Sequence, residues 1–463
     1  RTGATEDTLN GGADLYSITY DALNRPDVET VKYIPGGNRA LDSDYDRFGN
    51  RTGLSVDDIP ANTDYSHSYT HNTLNRMTAA TLAGSAYTFT HYDNDDLNVM
   101  TYPNGVTGTH TYESNGPIAS IAYAKADTTA LETLGYGYDD VNNITSYSDP
   151  DGGFVFGYDD LDRLASATYP APTRLSSESF DYDKVGNREV NATPNLWQYN
   201  ANNQLSQGPE YTYVYDADGN TESRTVLATP QDPTAINATF THDLINRLTA
   251  FSTTATTASY DYEPGGRRIS KTVDGTTTWF LWSGSQLIGE YNNTGNRGKR
   301  YSYLPGSFAP DQMTDGNGVY QVHSDHLSTP KLLTDSSEDI VWRSVREAFG
   351  DMTPDENPDG DANSITLNIR FPGQYFDVES GQHYNYFRDY NPSTGRYVQS
   401  DPIGLGGDNN NYAYVELNPL LSVDLFGLKK SGGDLKLPGS PSLDVCLEDG
   451  EDCSRRAKRG VID

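Results

Sequence analysis

The chain has 463 residues, including 34 Tyr and 43 Gly but only 4 Met, and no long apolar helical stripe is evident in it. Such a composition is typical of strands joined by tight turns. The formal net charge of −32 argues against a nucleic-acid interface and against binding to an anionic membrane, because both need clustered Lys and Arg.

Neither end of the sequence carries a recognisable targeting segment. No stretch has the apolar length that crosses a bilayer, and no signal peptide precedes the first motif. The sequence begins at Arg1 in the middle of a pattern. We therefore expect a fragment or processed piece of a longer protein, with any export signal upstream.

About the first two thirds of the sequence repeats one short motif. In "YDALNR", "YDRFGNR" and "YDKVGNR", Tyr-Asp is followed by a turn centred on Asn or Gly and often by Arg. The period is loose, but the internal order of the motif is kept. The copies and close variants start at Tyr20, Tyr45, Thr70, Tyr138, Tyr158, Tyr182, Tyr199, Tyr215, Thr241 and Tyr260.

Each copy has the chemistry of a β-hairpin turn. The aromatic residue ends a strand, Asp bonds back to the backbone, and Asn or Gly accepts the left-handed conformation that the turn needs. An alternating run such as "RLASATYP" follows as the returning strand. One hairpin cannot bury its apolar face, so successive hairpins must stack into an extended sheet, which twists.

These segments resemble the YD repeats of the RHS (rearrangement hot spot) family, which includes the C components of bacterial Tc toxins and the shell of animal teneurins. The resemblance implies an all-β protein whose YD-repeat hairpins spiral into a hollow shell, or cocoon. It also implies that the repeats form a container wall and not a catalytic surface.

The pattern changes near Tyr301. The stretch "YQVHSDHLSTPKLLTDSSEDIVWRSVREAFGD" resembles the lead-in of the RHS-associated core. The stretch "FPGQYFDVESGQHYNYFRDYNPSTGRYVQSDPIGL" closely resembles the centre of that core. We therefore expect a YD-repeat shell over residues 1–300, a β-rich core that closes it over 301–428, and a variable C-terminal tail over 429–463.

The resemblance also implies self-cleavage, since in this family the core cuts its own chain after the Gly-Leu that ends it. Matched residue by residue, the implied catalytic groups are Arg388, Asp401 of "DPIGL" and Asp424 of "DLFGL". The scissile bond would join Leu428 to Lys429. Where the family usually has Asp-Pro in the final segment, this chain has Leu425 after Asp424.

Two carboxylates held close together have the chemistry of an aspartic peptidase. They share a proton, so the ionised one draws a proton from water while the protonated one polarises the scissile carbonyl. Arg388 could orient a carboxylate, stabilise the charge of the tetrahedral intermediate, or form a buried salt bridge that fixes the strands. Because substrate and catalyst are one chain, a single turnover suffices.

Other polar residues give weaker signals. His323 and His326 in "HSDH" have a spacing seen in metal sites, but we favour a structural role for both, and we expect neither a metal nor a cofactor. The only Cys residues, Cys446 and Cys453, could form a disulfide, remain as thiols or bind a metal. The tail is either the start of a cargo or a remnant of one.

The sequence thus predicts a secreted or cell-surface shell of a bacterium, which encloses a C-terminal cargo and releases it by autoproteolysis after Leu428. Its expected partners are its own cargo segment and a capping or delivery protein encoded upstream or in trans. We expect no nucleic-acid partner and no membrane insertion by this piece. The alternative is a structural or adhesive YD-repeat protein whose core folds but does not cut.

Overall fold

The computed structural model describes residues 4–6, 16–59, 62–171, 173, 175–189, 196–227, 237–407 and 409–430. The predicted tail beyond Lys430, with Cys446 and Cys453, lies outside this range. Within it the regular structure is β-strand, with two short 3₁₀ helices, and no helix has the length and apolarity to cross a membrane. The prediction of an all-β fold is confirmed.

Sheet I is a 16-stranded antiparallel sheet in which each strand pairs with the next strand in the sequence. Its strands are β1 (Ala4–Glu6), β2 (Tyr16–Tyr20), β3 (Pro26–Val31), β4 (Arg39–Tyr45), β5 (Arg51–Asp57), β6 (Tyr65–His71), β7 (Met77–Leu82), β8 (Ser85–His91), β9 (Leu97–Thr101), β10 (Thr107–Tyr112), β11 (Ile118–Ala124), β12 (Ala130–Tyr138), β13 (Ile144–Asp149), β14 (Gly152–Tyr158), β15 (Leu164–Thr168) and β16 (Glu178–Ser179). A separate hairpin of β17 (Asp181–Tyr182) and β18 (Arg188–Glu189) follows.

Sheet II has 15 antiparallel strands, again in the order of the sequence. Its strands are β19 (Gln198–Tyr199), β20 (Leu205–Gln207), β21 (Tyr211–Tyr215), β22 (Thr221–Val226), β23 (Ala238–His242), β24 (Leu248–Ser252), β25 (Thr257–Tyr262), β26 (Arg268–Val273), β27 (Thr276–Ser283), β28 (Gln286–Tyr291), β29 (Arg297–Ser302), β30 (Gln312–Thr314), β31 (Val319–Ser324), β32 (Pro330–Thr334) and β33 (Ile340–Arg343). The sheet runs through residue 300 without interruption, so the boundary expected there stays a prediction.

The small sheet follows, and its strands are β34 (Tyr375–Asp377), β35 (Gln382–Asn385), β36 (Arg388–Asn391) and β37 (Arg396–Tyr397). The 3₁₀ helices η1 (Gly404–Gly406) and η2 (Val415–Leu417) come after it.

The YD turns form as their sequence predicts. In most YD turns the opening Asp or Asn accepts the backbone N–H groups two and four residues later. In the turn at Asp183 these are Val185 N at 2.9 Å and Asn187 N at 2.8 Å. Asn24 and Gly49 occupy the left-handed position of their turns, at φ 62° and 91°. Asn292, Asp325 and Asp335 begin turns of the same kind, which were not among the copies recognised in the sequence.

The tyrosine of a repeat ties it to the preceding hairpin. Tyr158 donates its hydroxyl proton to the carbonyl of Ile144 at 2.8 Å, and Tyr182 does the same to Leu164 at 2.7 Å. Tyr112, Tyr138 and Tyr262 make equivalent bonds to Leu97, Ile118 and Leu248. Each YD turn is therefore coupled to its neighbour by a side chain as well as by the sheet.

The two large sheets share their hydrophobic core. In β6 the side chains of Tyr65, His67 and Tyr69 are buried while the residues between them are exposed, as expected for a sheet covered on one face. Between the sheets, Tyr33 donates to the carbonyl of Phe280 at 2.8 Å, and Tyr123 donates to that of Ser324 at 2.7 Å.

The C-terminal segment runs along the edge formed by the YD turns. Its side chains bond to the backbone or side chains of turns that lie far away in the sequence. The bonds are Tyr412 to Gly219, Arg396 to Asn187 and Asn203, and Asn418 to Asn143 and Asp162. This segment carries the residues that the sequence singled out, so the turns of both large sheets position the candidate site.

Candidate functional site

The small sheet brings the predicted site residues together. Arg388 opens β36 directly opposite Asn385 of β35, across a two-residue turn. Asp401 follows β37 by a few residues, and Asp424 lies in the irregular segment that ends at Lys430. That segment is held on the turn by a bond from Phe387 N–H to the carbonyl of Phe426, at 3.1 Å.

One guanidinium nitrogen contacts both carboxylates. Arg388 Nη2 lies 3.1 Å from Asp401 Oδ2 and 3.5 Å from Asp424 Oδ2. All three side chains are about 3% exposed. Arg388 also donates from Nη1 to the carbonyl of Asn411 at 3.0 Å and from Nε to that of Gly427. The cation therefore binds the acid pair and the predicted cleavage segment at once.

The backbone before the predicted scissile bond is bound by Asp424. Its Oδ1 accepts the N–H of Leu428 at 3.0 Å and that of Phe426 at 3.3 Å. Gly427 between them has a φ of 66°, and a Cβ there would stand 2.6 Å from the carbonyl oxygen of Asn385. The sequence Gly-Leu at this place thus reflects a left-handed, closely packed backbone. Lys429 is exposed.

Asp401 lies beside the carbonyl of Leu428. A Cβ built on Gly407 would stand 2.5 Å from Asp401 Oδ2 and 2.6 Å from the Leu428 oxygen. Both oxygens thus approach Gly407 more closely than they could approach a Cβ, so a side chain at this position would push them aside. Asp401 Oδ1 accepts the N–H of Ile403 at 2.9 Å, and this bond fixes the carboxylate plane.

Burial sets the electrostatics of Asp424. Removal from water raises the pKa of its carboxyl above the ordinary value, although Arg388 and the hydrogen bonds of Tyr397, Leu428 and Phe426 oppose that rise. Burial thus favours the protonated form of Asp424.

Two residues of the site had no role in the sequence-based prediction. Tyr397 donates its hydroxyl proton to Asp424 Oδ2 at 2.7 Å. Asn385 donates from Nδ2 to the Tyr397 oxygen at 2.9 Å and to the backbone carbonyl of Asp424 at 2.9 Å. Both lie inside the quoted core motif, but nothing in their spacing points to contact with Asp424.

The two histidines of "HSDH" occupy separate places. His323 packs between the rings of Tyr102 and Tyr123, with Nε2 2.8 Å from Thr334 Oγ1. His326 lies with Nε2 2.8 Å from the carbonyl oxygen of Leu420. Among the described residues, no group of three or more His, Cys, Asp or Glu side chains is arranged to hold a metal ion.

Comparison with known families assigns the fold. The Teneurin YD-shell family model matches residues 142–406, which is more than half of the chain. The chain belongs to the teneurin YD-shell family. The predicted RHS/YD-repeat relationship is therefore confirmed, and the sheets described above are those of a YD shell.

This YD-shell chain is also similar to bacterial toxins. It is 31% identical to "Double-stranded DNA deaminase toxin A" of Burkholderia cenocepacia over 327 residues, which cover 64% of this chain and 22% of the toxin. It is 42% identical to "Toxin protein Tse5" of Pseudomonas aeruginosa over 106 residues, which cover 23% of this chain and 8% of Tse5. The YD-shell chain thus spans about a fifth or less of the length of these relatives.

A solved toxin complex shares the YD-shell fold. The structure titled "TcdB2-TccC3 without hypervariable C-terminal region" superposes with a TM-score of 0.56 at 17% sequence identity. The match covers 90% of this chain and 22% of that one. At this identity the likeness concerns the fold alone.

Proposed function

We propose that this chain is the C-terminal part of a YD-shell toxin, that it encloses a C-terminal cargo, and that it cuts its own backbone between Leu428 and Lys429. The observation that carries the proposal is the shared contact of Arg388 Nη2 with Asp401 and Asp424, beside a backbone that Asp424 itself binds at Leu428. Such an enzyme is a single-turnover aspartic peptidase that acts only on its own chain.

The different surroundings of the two carboxylates divide their roles. Asp401 makes the shorter contact to the cation of Arg388, and its Oδ2 and the carbonyl oxygen of Leu428 both lie against Gly407. Asp401 is the general base, and it takes a proton from a water that attacks the carbonyl carbon of Leu428.

Asp424 supplies the second proton transfer. Burial favours its protonated form, and its Oδ1 lies at the N–H of Leu428, one peptide unit before the leaving nitrogen. The tetrahedral intermediate collapses when Asp424 protonates the nitrogen of Lys429 and the C–N bond breaks. One water is consumed, and the products are a carboxylate at Leu428 and an amine at Lys429. Arg388 stabilises the negative charge during the reaction.

The family relationship supports a toxin shell as the setting. The relatives named above are toxins, and a shell that surrounds its own C-terminal segment would keep a released cargo in place until delivery. We propose that the protein is secreted by a bacterium and that a second protein caps or delivers the shell.

Intact mass spectrometry of the purified chain tests the cut. The wild type should give a large piece ending at Leu428 and a piece of about 4 kDa beginning at Lys429, at roughly 0.11 kDa per residue. Asp401→Asn and Asp424→Asn keep the side-chain size but remove the carboxylate pair, so each variant should stay whole and folded. An uncut wild type would leave the non-cleaving structural shell as the function. The same cut in all three proteins would mean that the carboxylates are not the catalyst.

A further inference from the structure

Among the described residues, Asp424 Oδ2 is the acceptor that the Tyr397 hydroxyl reaches. Asn385 Nδ2 can only donate, so its bond to the Tyr397 oxygen at 2.9 Å uses that oxygen as an acceptor. The hydroxyl proton of Tyr397 must then point at Asp424 Oδ2, 2.7 Å away. Asn385 thereby fixes the direction of both hydrogen bonds, the one from Asn385 to Tyr397 and the one from Tyr397 to Asp424.

The two oxygens of Asp424 consequently differ. Oδ2 faces two side-chain donors, the Tyr397 hydroxyl and the Arg388 guanidinium at 3.5 Å. Oδ1 accepts the backbone N–H groups of Leu428 at 3.0 Å and Phe426 at 3.3 Å. The oxygen that accepts the shortest of these bonds, from Tyr397 at 2.7 Å, and also lies near the cation is the poorer place for a proton.

We propose that Tyr397 is a positioning residue for self-cleavage, which holds the catalytic proton of Asp424 on Oδ1, the oxygen that contacts Leu428. This inference rests on the proposed cleavage reaction. It assigns to Tyr397 no contact with the scissile bond, because its effect passes through Asp424.

Tyr397 remains a donor throughout the working pH range. Burial, followed by the neighbouring charge of Asp424, raises the pKa of its phenol well above the ordinary value. Its ring also lies under the guanidinium, with Arg388 Cζ 3.5 Å from the ring centroid. Tyr397→Phe keeps that ring and removes only the O–H, so it isolates the hydrogen bond.

The variant should change the pH profile as well as the rate. Arg388, Tyr397 and the buried phenol of Tyr414 face Asp424, and Asp401 lies beyond Arg388. A hydrogen bond from Tyr397 stabilises the ionised carboxylate, so its loss raises the pKa of Asp424. Because the reaction needs Asp424 protonated, the basic side of the profile should move to higher pH. A purely structural role would not move it.

The experiment follows cleavage by intact mass after the full chain is refolded from urea at a series of buffered pH values. Tyr397→Phe should cut about three- to tenfold more slowly at the optimum, the usual effect of losing one hydrogen bond to a neutral group. The pH at which its cleavage rate falls on the basic side should be higher than in the wild type. Tyr390→Phe is the matched control, since the Tyr390 hydroxyl is also buried but donates to the carbonyl of Phe349 at 2.7 Å. It should keep the wild-type rate and profile.

A second variant can be used for the same test if Tyr397→Phe fails to fold. Replacement of Tyr397 by 4-aminophenylalanine keeps the ring and a weaker N–H donor, so the pH at which its rate falls on the basic side should lie between those of wild type and Phe. A folded Tyr397 variant with the wild-type rate and profile would overturn the role of Tyr397 while leaving the cleavage reaction standing. Equal slowing in the Tyr390 control with an unmoved profile would also overturn it. A wild type that never cuts would instead refute the proposed function.

Discussion

Gly407 lies against the carbonyl oxygen of Leu428, so closely that a Cβ on Gly407 would stand 2.6 Å from that oxygen and 2.5 Å from Asp401 Oδ2. Gly407→Ala would therefore push Asp401, the proposed base, away from the bond that we propose it cuts. Because its φ of −88° suits any residue, folding should persist while cleavage slows about a hundredfold, as expected for a misplacement near 1 Å.

Intact mass spectrometry over time measures the effect of this change. Gly406→Ala is the matched control, since no atom lies within 4 Å of the added methyl group. Wild-type cleavage in Gly407→Ala would mean that the proposed reaction does not depend on the placement of Asp401 beside Leu428.

The shape of Arg388 should matter as much as its charge. Its guanidinium makes contacts from three nitrogens, to two carboxylates and to the carbonyls of Asn411 and Gly427. One ammonium cannot reproduce that set, so Arg388→Lys should slow cleavage at least about tenfold. Thermal melts show whether the variant is folded. Full activity in a folded Lys variant would reduce Arg388 to a source of positive charge.

The wall of the shell should depend on its repeat tyrosines. Tyr158 packs on the core of sheet I and bonds to Ile144, so Tyr158→Ala should lower the free energy of unfolding by about 3 kcal/mol. Tyr158→Phe, which loses only the hydrogen bond, should cost about 1 kcal/mol. Val155 of the same strand is 57% exposed, so Val155→Ala should stay within about 0.5 kcal/mol. Denaturant titrations compare the three variants, and equal values would mean that Tyr158 adds nothing to the wall.

Asp311 should make stability depend on pH. Its carboxyl is buried, which raises its pKa from 3.8 to about 7. Between those values the unfolded chain has released the proton and the folded chain has kept it, so stability falls as pH rises. Asp311→Asn should therefore stabilise the protein at about pH 8 by about 2–4 kcal/mol, and by much less at about pH 5.

Asp325 provides a comparison of opposite sign for Asp311. Burial alone would raise the pKa of Asp325, but Arg346 at 3.0 Å and the neighbouring donors lower it. Asp325→Asn should thus destabilise the folded state at neutral pH. Denaturant titrations at both pH values measure the two variants. An Asp311→Asn protein that is less stable than wild type at the higher pH would contradict the prediction.

The sequence predicted the hairpins because their chemistry is local. The Asp of a YD turn binds N–H groups two and four residues away, so a window of six residues is enough to recognise it. The turn at Asn292 was not among the copies recognised, although Asn292 supplies the same acceptor as Asn200 in the copy at Tyr199.

The site was predictable only in part. Arg388, Asp401 and Asp424 could be named by resemblance to a motif, and the structure places them in contact. Asn385 and Tyr397 gave no signal, since their role depends on which way a hydroxyl group points in three dimensions. The packing of one large sheet on the other could not be predicted either. Its contacts join residues more than 200 positions apart, such as Tyr33 and Phe280.

The bonds from the C-terminal segment to the YD turns determine the order in which the hairpins and the site can fold. Asn418 reaches Asn143, and Arg396 reaches Asn187, so the frame of the site is anchored in hairpins synthesised much earlier. The carboxylates cannot adopt their final spacing until those hairpins are in place. The proposed cleavage of the Leu428–Lys429 bond would then take place only after the wall of the shell has folded.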